Sequence, residues 1–192
     1  ALVKYSSFSS GKVKKQHGQF EMVSVKWDET VGGDALDMLL VEHFQEEFKQ
    51  KHGTDLSTIP RAVGKMRKQV RKTKEILSAN KEAPFSVESL HDEIDLRSKI
   101  TRDEFTTLAG DIFERMTGPL REIVASLGDF NITLDEIEAI EVIGGSTRVP
   151  GVKEEIGKAI NGRKFDVHPD ADEAVAMGAG LFDANMSTTF RM

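Results

Sequence analysis

Cysteine is absent from this chain of 192 residues, which excludes disulfide bonds and thiolate zinc sites and leaves the redox compartment open. No apolar run approaches the roughly 18 residues needed to span a bilayer, and residues 1–4 (ALVK) lack the segments of a signal peptide. Lysine and arginine total 26 against 32 aspartate and glutamate residues, a formal net charge of −6. That balance provides no general attraction to nucleic acid or to an anionic membrane.

Residue patterns typical of metal sites and of nucleophilic catalysis are lacking as well. The histidines form no i,i+4 pairs with one another or with a metal-type set of carboxylates; they are His17, His43, His52, His91 and His168. An acidic cluster near the C-terminus lacks the spacing of a calcium loop, and its plainer role is to cap the last helix; its members are Asp166, Asp170, Asp172 and Glu173. We therefore predict no metal ligand and no catalytic residue in this chain.

The chain does contain a regular succession of strand and helix patterns, typical of a soluble globular protein. Alternation in residues 5–9 and again in residues 20–25, around a turn at residues 10–12, predicts a hairpin. Helical spacing predicts one amphipathic helix between the Gly32-Gly33 break and residues 52–53, and a second that begins near Pro60. Two short strands are predicted after it, by alternation in residues 84–90 and 94–100.

The second half of the chain is richer in start and stop signals. Capping boxes at residues 101–104 (TRDE) and 133–136 (TLDE) predict the starts of a long helix and of a shorter one. Residues 139–143 (AIEVI) predict a buried strand, followed by a glycine turn and a helix that Pro150 opens. Residues 171–181, rich in Ala and Gly, predict a last helix whose small residues permit close approach to a neighbouring element. Because the chain starts and ends within such patterns, we expect a fragment of a larger domain.

The most informative local feature is the run at residues 144–148 (GGSTR), directly after the predicted strand. Two glycines let backbone N–H groups approach an anion, and the N-terminus of the following helix adds a favourable dipole. The plainer alternative is a tight strand-to-helix turn that needs glycine for a positive φ. Gly32 and Gly33 precede a helix and are open to the same two interpretations.

The helix that begins near Pro60 carries a run of basic residues. Arg71, Lys74 and Ser78 fall on one of its faces, where cations and a hydroxyl could meet a ribose or the edge of a base. A solvated face is the alternative interpretation. Nucleic acid is a poor fit, because no aromatic residues interleave the charges and the rest of the chain is acidic.

Two motifs, residues 142–150 (VIGGSTRVP) and 172–179 (DEAVAMGA), closely resemble the adenosine-side motifs of the heat-shock protein 70 family. The similarity is collinear over essentially the whole chain and includes residues 28–34, 74–78 and 100–105. Within the family, the chain resembles the large divergent branch, the glucose-regulated protein 170 class with the heat-shock protein 110 class close behind. The segments that carry this second resemblance are residues 25–28, 71–80 and 83–90.

The resemblance implies an α/β fold, the C-terminal half (lobe II) of an actin-like ATPase domain. In that fold a base subdomain surrounds a ribonuclease H-like sheet, and an α+β helical cap subdomain is inserted into it. The base would comprise residues 1–31 and 110–192, and the cap would comprise residues 32–109.

The resemblance also implies an adenine-nucleotide site on this chain. On the adenosine side, Arg148 would stack on one face of adenine, Ser78 would hydrogen-bond the base and Lys74 would reach the ribose. Asp172 would lie on the same base-and-ribose side. Arginine suits the stacking role because its planar, weakly hydrated guanidinium can lie flat on a π system.

On the phosphate side, Gly33 would line the site, and Gly144 and Gly145 would face the phosphates and the ribose. Two positions depart from the family pattern. Where the main branch has a second adenine-stacking arginine and a ribose-binding glutamate, this chain has Glu75 and Arg71. Half of the adenine clamp is therefore expected to differ.

The implied cofactor is ATP or ADP, with magnesium in the intact two-lobed domain, and the implied function is ATP-dependent chaperoning of protein folding under stress. The longer protein would be an ATPase, whereas the fragment alone is not expected to be catalytic, since phosphoryl transfer needs both lobes. The alternative is a nucleotide-exchange factor, or interaction module, for a smaller heat-shock protein 70. Implied partners are the missing lobe I and the substrate-binding region of the same protein, unfolded clients and that smaller protein. The implied compartment is the endoplasmic reticulum lumen, with the cytoplasm as the alternative.

Overall fold

The structure is a computed structural model that describes residues 1–10, 15–167 and 173–186. It is mixed α/β, as predicted. The strands are β1 (Leu2–Ser10), β2 (Lys15–Ser24), β3 (Glu82–His91), β4 (Ile94–Thr101), β5 (Glu141–Val142) and β6 (Asp166–Val167). The α-helices are α1 (Gly33–His52), α2 (Pro60–Ala79), α3 (Arg102–Leu108), α4 (Gly110–Met116), α5 (Gly118–Ala125), α6 (Pro150–Ala159) and α7 (Ala174–Met186). Within the described ranges no helix is long and apolar enough to cross a membrane.

Strands β1 and β2 form an antiparallel hairpin, which confirms the predicted pairing. Tyr5 lies opposite Phe20, and the centroids of the two exposed rings are 6.5 Å apart. The start of the hairpin is buried, because Leu2 contacts Ile123 and Leu127 in a small second core. Of the turn predicted at residues 10–12, Ser10 is the last residue of β1, and residues 11–12 lie outside the described residues.

The largest core is formed by α1, α2 and the β3–β4 hairpin. Leu36, Leu40, Phe44 and Phe48 recur every fourth residue on the inward face of α1 and are fully buried. Phe44 stacks on Phe85 of β3, with ring centroids 3.7 Å apart and planes within 6° of parallel. Burying one such ring stabilises the fold by about 1.5–3 kcal/mol relative to leaving it exposed. The two helices and two strands predicted for residues 33–101 are thereby confirmed.

The capping box at the end of β4 is confirmed, but the long helix predicted after it is wrong. The Thr101 N–H donates to the Glu104 carboxylate at 2.8 Å, and the Glu104 N–H donates to Thr101 Oγ1 at 3.2 Å. The helix that follows is divided into α3, α4 and α5, with breaks at Ala109 and Thr117. The second break has a chemical cause, since Pro119 has no N–H to donate to the preceding turn.

The first break brings two buried rings together. Phe105 and Phe113 are eight residues apart, which corresponds to a rise of about 12 Å in a straight helix. Their ring centroids lie 6.0 Å apart, with the planes at 90°. The bend at Ala109 and Gly110 therefore creates an aromatic contact that a straight helix would not form.

The second capping box produces less helix than predicted. The Thr133 N–H donates to the Glu136 carboxylate at 2.7 Å, but only a single 3₁₀ turn, Leu134–Glu136, follows. The guanidinium of Arg163 donates to the carbonyls of Leu134 and Ile137, both of which a continuing helix would use. The Leu134 carbonyl also accepts from the Ile137 N–H at 3.3 Å, and the helix predicted after this capping box is limited to this one turn.

The predicted buried strand at residues 139–143 is confirmed as a strand only at β5, and it is not fully buried. β5 pairs in parallel with β6 over two positions, Glu141 with Asp166 and Val142 with Val167. Val142 is half-buried against the main core, while Ile143 is 49% exposed. Because successive side chains of a strand point to opposite faces, the core covers one face of this apolar run and leaves the other open.

Helix α7 is shifted from its predicted position, and residues 171–172 lie outside the described residues. Among the described residues no atom lies within 4 Å of a Cβ built on Gly178 or Gly180, so the close approach of a neighbouring element to this helix stays a prediction. Phe182 does contact Phe20 of the hairpin, with ring centroids 6.3 Å apart. This contact joins the last described helix to the first sheet.

Candidate functional site

The turn after β5 has the predicted order of strand, glycine turn and helix. Gly144 has a φ of 102°, a conformation that side-chain-bearing residues adopt only with strain. Its carbonyl accepts from the Thr147 N–H at 3.1 Å and from Thr147 Oγ1 at 2.8 Å, which closes a 3₁₀ turn over Gly145–Arg148. Pro150 then begins α6. The need for glycine at residue 144 fits the plainer interpretation, a tight strand-to-helix turn. It does not exclude the alternative, that the turn binds an anion.

The turn before α1 comes close to the turn after β5. A Cβ built on Gly33 would lie 3.2 Å from Ser146 Oγ and 3.5 Å from Lys74 Nζ. Such distances are at or below ordinary van der Waals contact, so a side chain at residue 33 would displace one of these neighbours. The structure therefore brings together two glycine turns and one cation that are far apart in the sequence.

Helix α2 carries Lys74 and Ser78 on consecutive turns, and Lys74 lies beside Gly33. Lys74 Nζ donates to the Gly33 carbonyl at 2.8 Å and lies 2.5 Å from Asp37 Oδ1. Ser78 Oγ donates to the Lys74 carbonyl at 3.1 Å. From the start of α3, Arg102 Nε donates to the Leu77 carbonyl at 2.8 Å and so fixes the C-terminal end of α2.

Arg71, the third residue of the predicted basic face, is held by two carboxylates of α1. Its Nε donates to Asp37 at 3.1 Å and its guanidinium donates to Asp34 at 3.1 Å. These contacts raise the pKa of Arg71, the hydrogen bond to Asp37 most of all. The side chain of Arg71 is 61% exposed, and Glu75 one turn later is exposed as well.

The remaining predicted residues lie on or beyond the turn after β5. Gly145 and Arg148 are exposed at the two ends of the 3₁₀ turn. Ser146 Oγ lies 3.2 Å from the position of a Cβ on Gly33, and the Gly33 carbonyl accepts from Lys74 of α2. Asp172 lies outside the described residues.

Sequence reasoning missed two residues of this arrangement, Asp37 and Ser146. Asp37 had a signal, because an acidic residue between Leu36 and Leu40 lies on the inward face of an amphipathic helix that precedes a basic one. Ser146 lies within a recognised motif, but no local pattern predicts its contact with Gly33.

Two surface grooves lie elsewhere. One, of about 360 Å³, lies between α2 and β3 and is lined by Lys65, Lys68 and Lys72. The other, of about 550 Å³, is lined by α1, α3 and the end of β4 and includes Glu42 and Glu46. Neither contains Gly33, Lys74 or the turn after β5, so the candidate site is an open wall and not part of these grooves.

Comparison with known proteins identifies relatives over the whole chain. A family model described as Hsp70 protein matches residues 5–191. Heat shock 70 kDa protein 17 of Arabidopsis thaliana is 44% identical over 196 residues, covering 100% of this chain and 22% of the relative. Heat shock protein hsp88 of Neurospora crassa is 36% identical over 190 residues, covering 99% of this chain and 26% of the relative. Hypoxia up-regulated protein 1 of Mus musculus is 35% identical over 178 residues, covering 91% of this chain and 18% of the relative.

The chain thus spans 18–26% of the length of these relatives. The nucleotide-binding domain of the family has the actin-like ATPase fold, and the mixed α/β architecture agrees with it. Since the family model matches nearly every residue, the chain belongs to the heat-shock protein 70 family, in its large branch of heat-shock protein 110 and glucose-regulated protein 170 relatives.

Proposed function

We propose that this chain forms the adenosine-side wall of an ATP/ADP site, as lobe II of the nucleotide-binding domain of an ATP-dependent chaperone. The observation that supports it most is the meeting of Gly33, Lys74 and Ser146, which come from three separate elements. Glycine turns at helix starts expose backbone N–H groups, and an ammonium beside them favours a phosphate or a ribose hydroxyl.

The chemistry of these residues fits an adenine nucleotide. The absence of a side chain at Gly33 keeps space open between Ser146 and Lys74. Ser78 donates its proton within α2, so its hydroxyl oxygen keeps lone pairs that can accept from the adenine amino group. Arg148 is exposed at the end of the 3₁₀ turn that contains Ser146, and its guanidinium can stack on a base. When bound, nucleotide and magnesium supply the phosphoryl chemistry, and this wall supplies binding and orientation.

The second adenine contact of the family is altered here. Arg71 is hydrogen-bonded to Asp34 and Asp37, and Glu75 has no guanidinium that could stack on a base. Of the two stacking positions, Arg148 alone would then stack on adenine. We infer a weaker or less base-selective hold than an arginine at residue 75 would provide.

The rest of the domain is proposed with the site. Residues 1–31 and 110–192 form the base and residues 32–109 the cap, and lobe I of the same longer protein closes the cleft. Hydrolysis, folding of unfolded clients and communication with a substrate-binding region belong to that longer protein, which we place in the endoplasmic reticulum lumen. Nucleotide exchange on a smaller heat-shock protein 70 is the alternative role.

The test measures ADP affinity by calorimetry in the longer, two-lobed protein. Gly33→Val places a branched side chain where Ser146 Oγ and Lys74 Nζ lie 3.2 and 3.5 Å from a Cβ, and we expect it to weaken ADP binding at least tenfold. Gly64→Ala is the matched control, because a Cβ on that glycine of α2 meets nothing within 4 Å. Wild-type protein that does not bind ADP, or Gly33→Val protein that binds it normally, would contradict the proposal.

A further inference from the structure

Asp37 is a carboxylate on the inward face of α1, with its side chain 3% exposed. A charge removed from water this completely is costly unless it is paired. Two cations of α2 meet it, since Arg71 Nε donates to Oδ2 at 3.1 Å and Lys74 Nζ lies 2.5 Å from Oδ1. The resemblance assigns no role to this residue.

The two ion pairs of Asp37 are not equivalent. Arg71 is 61% exposed and is also bound by Asp34 at 3.1 Å, so it would stay paired without Asp37. The Lys74 side chain is 15% exposed, and among the described residues Asp37 is the carboxylate that it contacts. Loss of the Asp37 charge would therefore free Lys74 and leave Arg71 in place.

Asp37 also determines where the ammonium of Lys74 lies. An ammonium has three N–H donors, and the Gly33 carbonyl accepts one of them at 2.8 Å. Asp37 Oδ1 lies 2.5 Å from Lys74 Nζ, so the buried carboxylate attracts the ammonium at close range. The carboxylate holds the ammonium against Gly33, and these two partners leave at least one of its three donors for a ligand.

We propose that Asp37 is a positioning residue of the nucleotide site, whose buried carboxylate holds the ammonium of Lys74 at Gly33 with a donor directed to the ribose. This inference rests on the function proposed above, in which Lys74 reaches the ribose. Asp37 itself touches no nucleotide atom and acts through Lys74 alone.

The test uses the two-lobed protein with ADP and with 3′-deoxy-ADP as a second probe. Asp37→Asn keeps the size of the side chain and removes its charge. We expect the Kd for ADP to rise about tenfold, as expected for loss of one charge-assisted hydrogen bond, and the preference for ADP over the deoxy analogue to shrink. Asp34→Asn is the matched control, because Asp34 pairs with Arg71 and Arg67 and is expected to leave both quantities unchanged.

Lys74→Met separates positioning from a general structural role. If Asp37 acts through Lys74, Asp37→Asn adds no further loss of ADP affinity in the Lys74→Met background. A structural Asp37 would lower the affinity equally in both backgrounds, and that result would overturn the positioning role. Wild-type protein that does not bind ADP would overturn the proposed function itself, so the two failures are distinguishable.

A second measurement, NMR of the Lys74 ammonium, uses the wild-type protein and does not depend on whether an Asp37 variant folds. Lysine ammonium groups are labelled with ¹⁵N in the wild-type protein, and the signal of Lys74 is assigned by its loss in Lys74→Met. We expect slow hydrogen exchange of this ammonium and a shift of its signal when ADP is added. Rapid exchange in the ADP complex would overturn the proposal.

Discussion

Residues 32–109, the proposed cap, and two parts of the proposed base, the β1–β2 hairpin and α7, bury their apolar side chains very differently. In the cap, Phe44, Phe48 and Phe85 are 0% exposed and surround a continuous core. In the base, the rings of Tyr5, Phe20 and Phe182 are 80%, 51% and 53% exposed. The main core extends from residues 32–109 into α4 and α6, where Phe113 and Ile156 join it, whereas the aromatic rings of the hairpin and of α7 face outward.

This difference indicates where the stability of the chain resides. A two-stranded hairpin is at best marginally stable alone, because it has no second layer to cover its apolar face. The β1–β2 hairpin is buried chiefly at Leu2, against Ile123 and Leu127. We therefore expect substitutions in the cap to change the free energy of unfolding far more than equivalent substitutions in the hairpin.

The largest expected effect is that of Phe44→Ala in the cap core. It removes a fully buried ring that stacks on Phe85, and we expect the free energy of unfolding to fall by about 3–5 kcal/mol. Phe20→Ala in the hairpin is the matched variant, expected to change it by no more than about 0.5 kcal/mol because the ring is largely exposed. Urea denaturation of both variants checks this, and equal losses would refute the contrast between cap and base.

The proposed base is closely packed at the start of α6. A Cβ on Gly151 would lie 2.4 Å from Phe113 Cε2, so we expect Gly151→Ala to displace that ring. The expected cost of this overpacking is about 1–3 kcal/mol in the free energy of unfolding. Gly157→Ala on the same helix meets nothing within 4 Å and should instead stabilise by up to about 1 kcal/mol. Thermal melts of the two variants that shift in the same direction would contradict this interpretation.

The same contrast explains how much of the fold could be predicted from sequence. α1 was predicted because Leu36, Leu40, Phe44 and Phe48 repeat at helical spacing, a local signal. The bend between Phe105 and Phe113 depends on contacts that no local pattern contains. The capture of the Leu134 and Ile137 carbonyls by Arg163 is likewise a long-range contact. Local signals thus predict the helices and strands, whereas the contacts between distant residues cannot be predicted from them.

The residues of the candidate site also differ in whether the sequence could predict them. Gly33, Lys74 and Gly144 follow from motif spacing, and the structure places the first two in contact. Ser146 could not be predicted as a neighbour of Gly33, because α1, α2 and the β3–β4 hairpin lie between them in the sequence. Asp37 could have been predicted, since a carboxylate on an apolar helix face requires a cation opposite it.

A smaller effect on stability is expected at the two capping boxes, one in the proposed cap and one in the proposed base. Thr101→Ala removes the cap of α3, and we expect a loss of about 1 kcal/mol in the free energy of unfolding. Thr133→Ala removes the same device, but the 3₁₀ turn that it starts is only Leu134–Glu136, and Arg163 holds two of the nearby carbonyls. We expect a smaller loss there. Denaturation curves in which Thr133→Ala costs more than Thr101→Ala would contradict this ranking.

The smallest expected effect is on a single pKa in the loop between α1 and α2. Hydrogen bonds from the side chain and backbone N–H of Ser57 lower the pKa of Asp55 to about 2. In Ser57→Ala the hydroxyl donor is lost, so we expect NMR titration to show a higher pKa for Asp55. Because the folded pKa lies below the unfolded one, the stability from this contact is present above pH of about 4 and is lost as the pH falls towards about 2.

Asp28, in the proposed base, accepts the same kind of hydrogen bonds as Asp55 and allows the two pKa shifts to be compared. Thr30 donates to Asp28 in the same way, from two residues along the chain, and lowers its pKa. Thr30→Ala should therefore raise the pKa of Asp28, just as Ser57→Ala raises that of Asp55. If only the cap aspartate responded, the pKa shift would depend on the better packed surroundings of the cap. Equal responses would show that turn chemistry is local and independent of the difference in core packing.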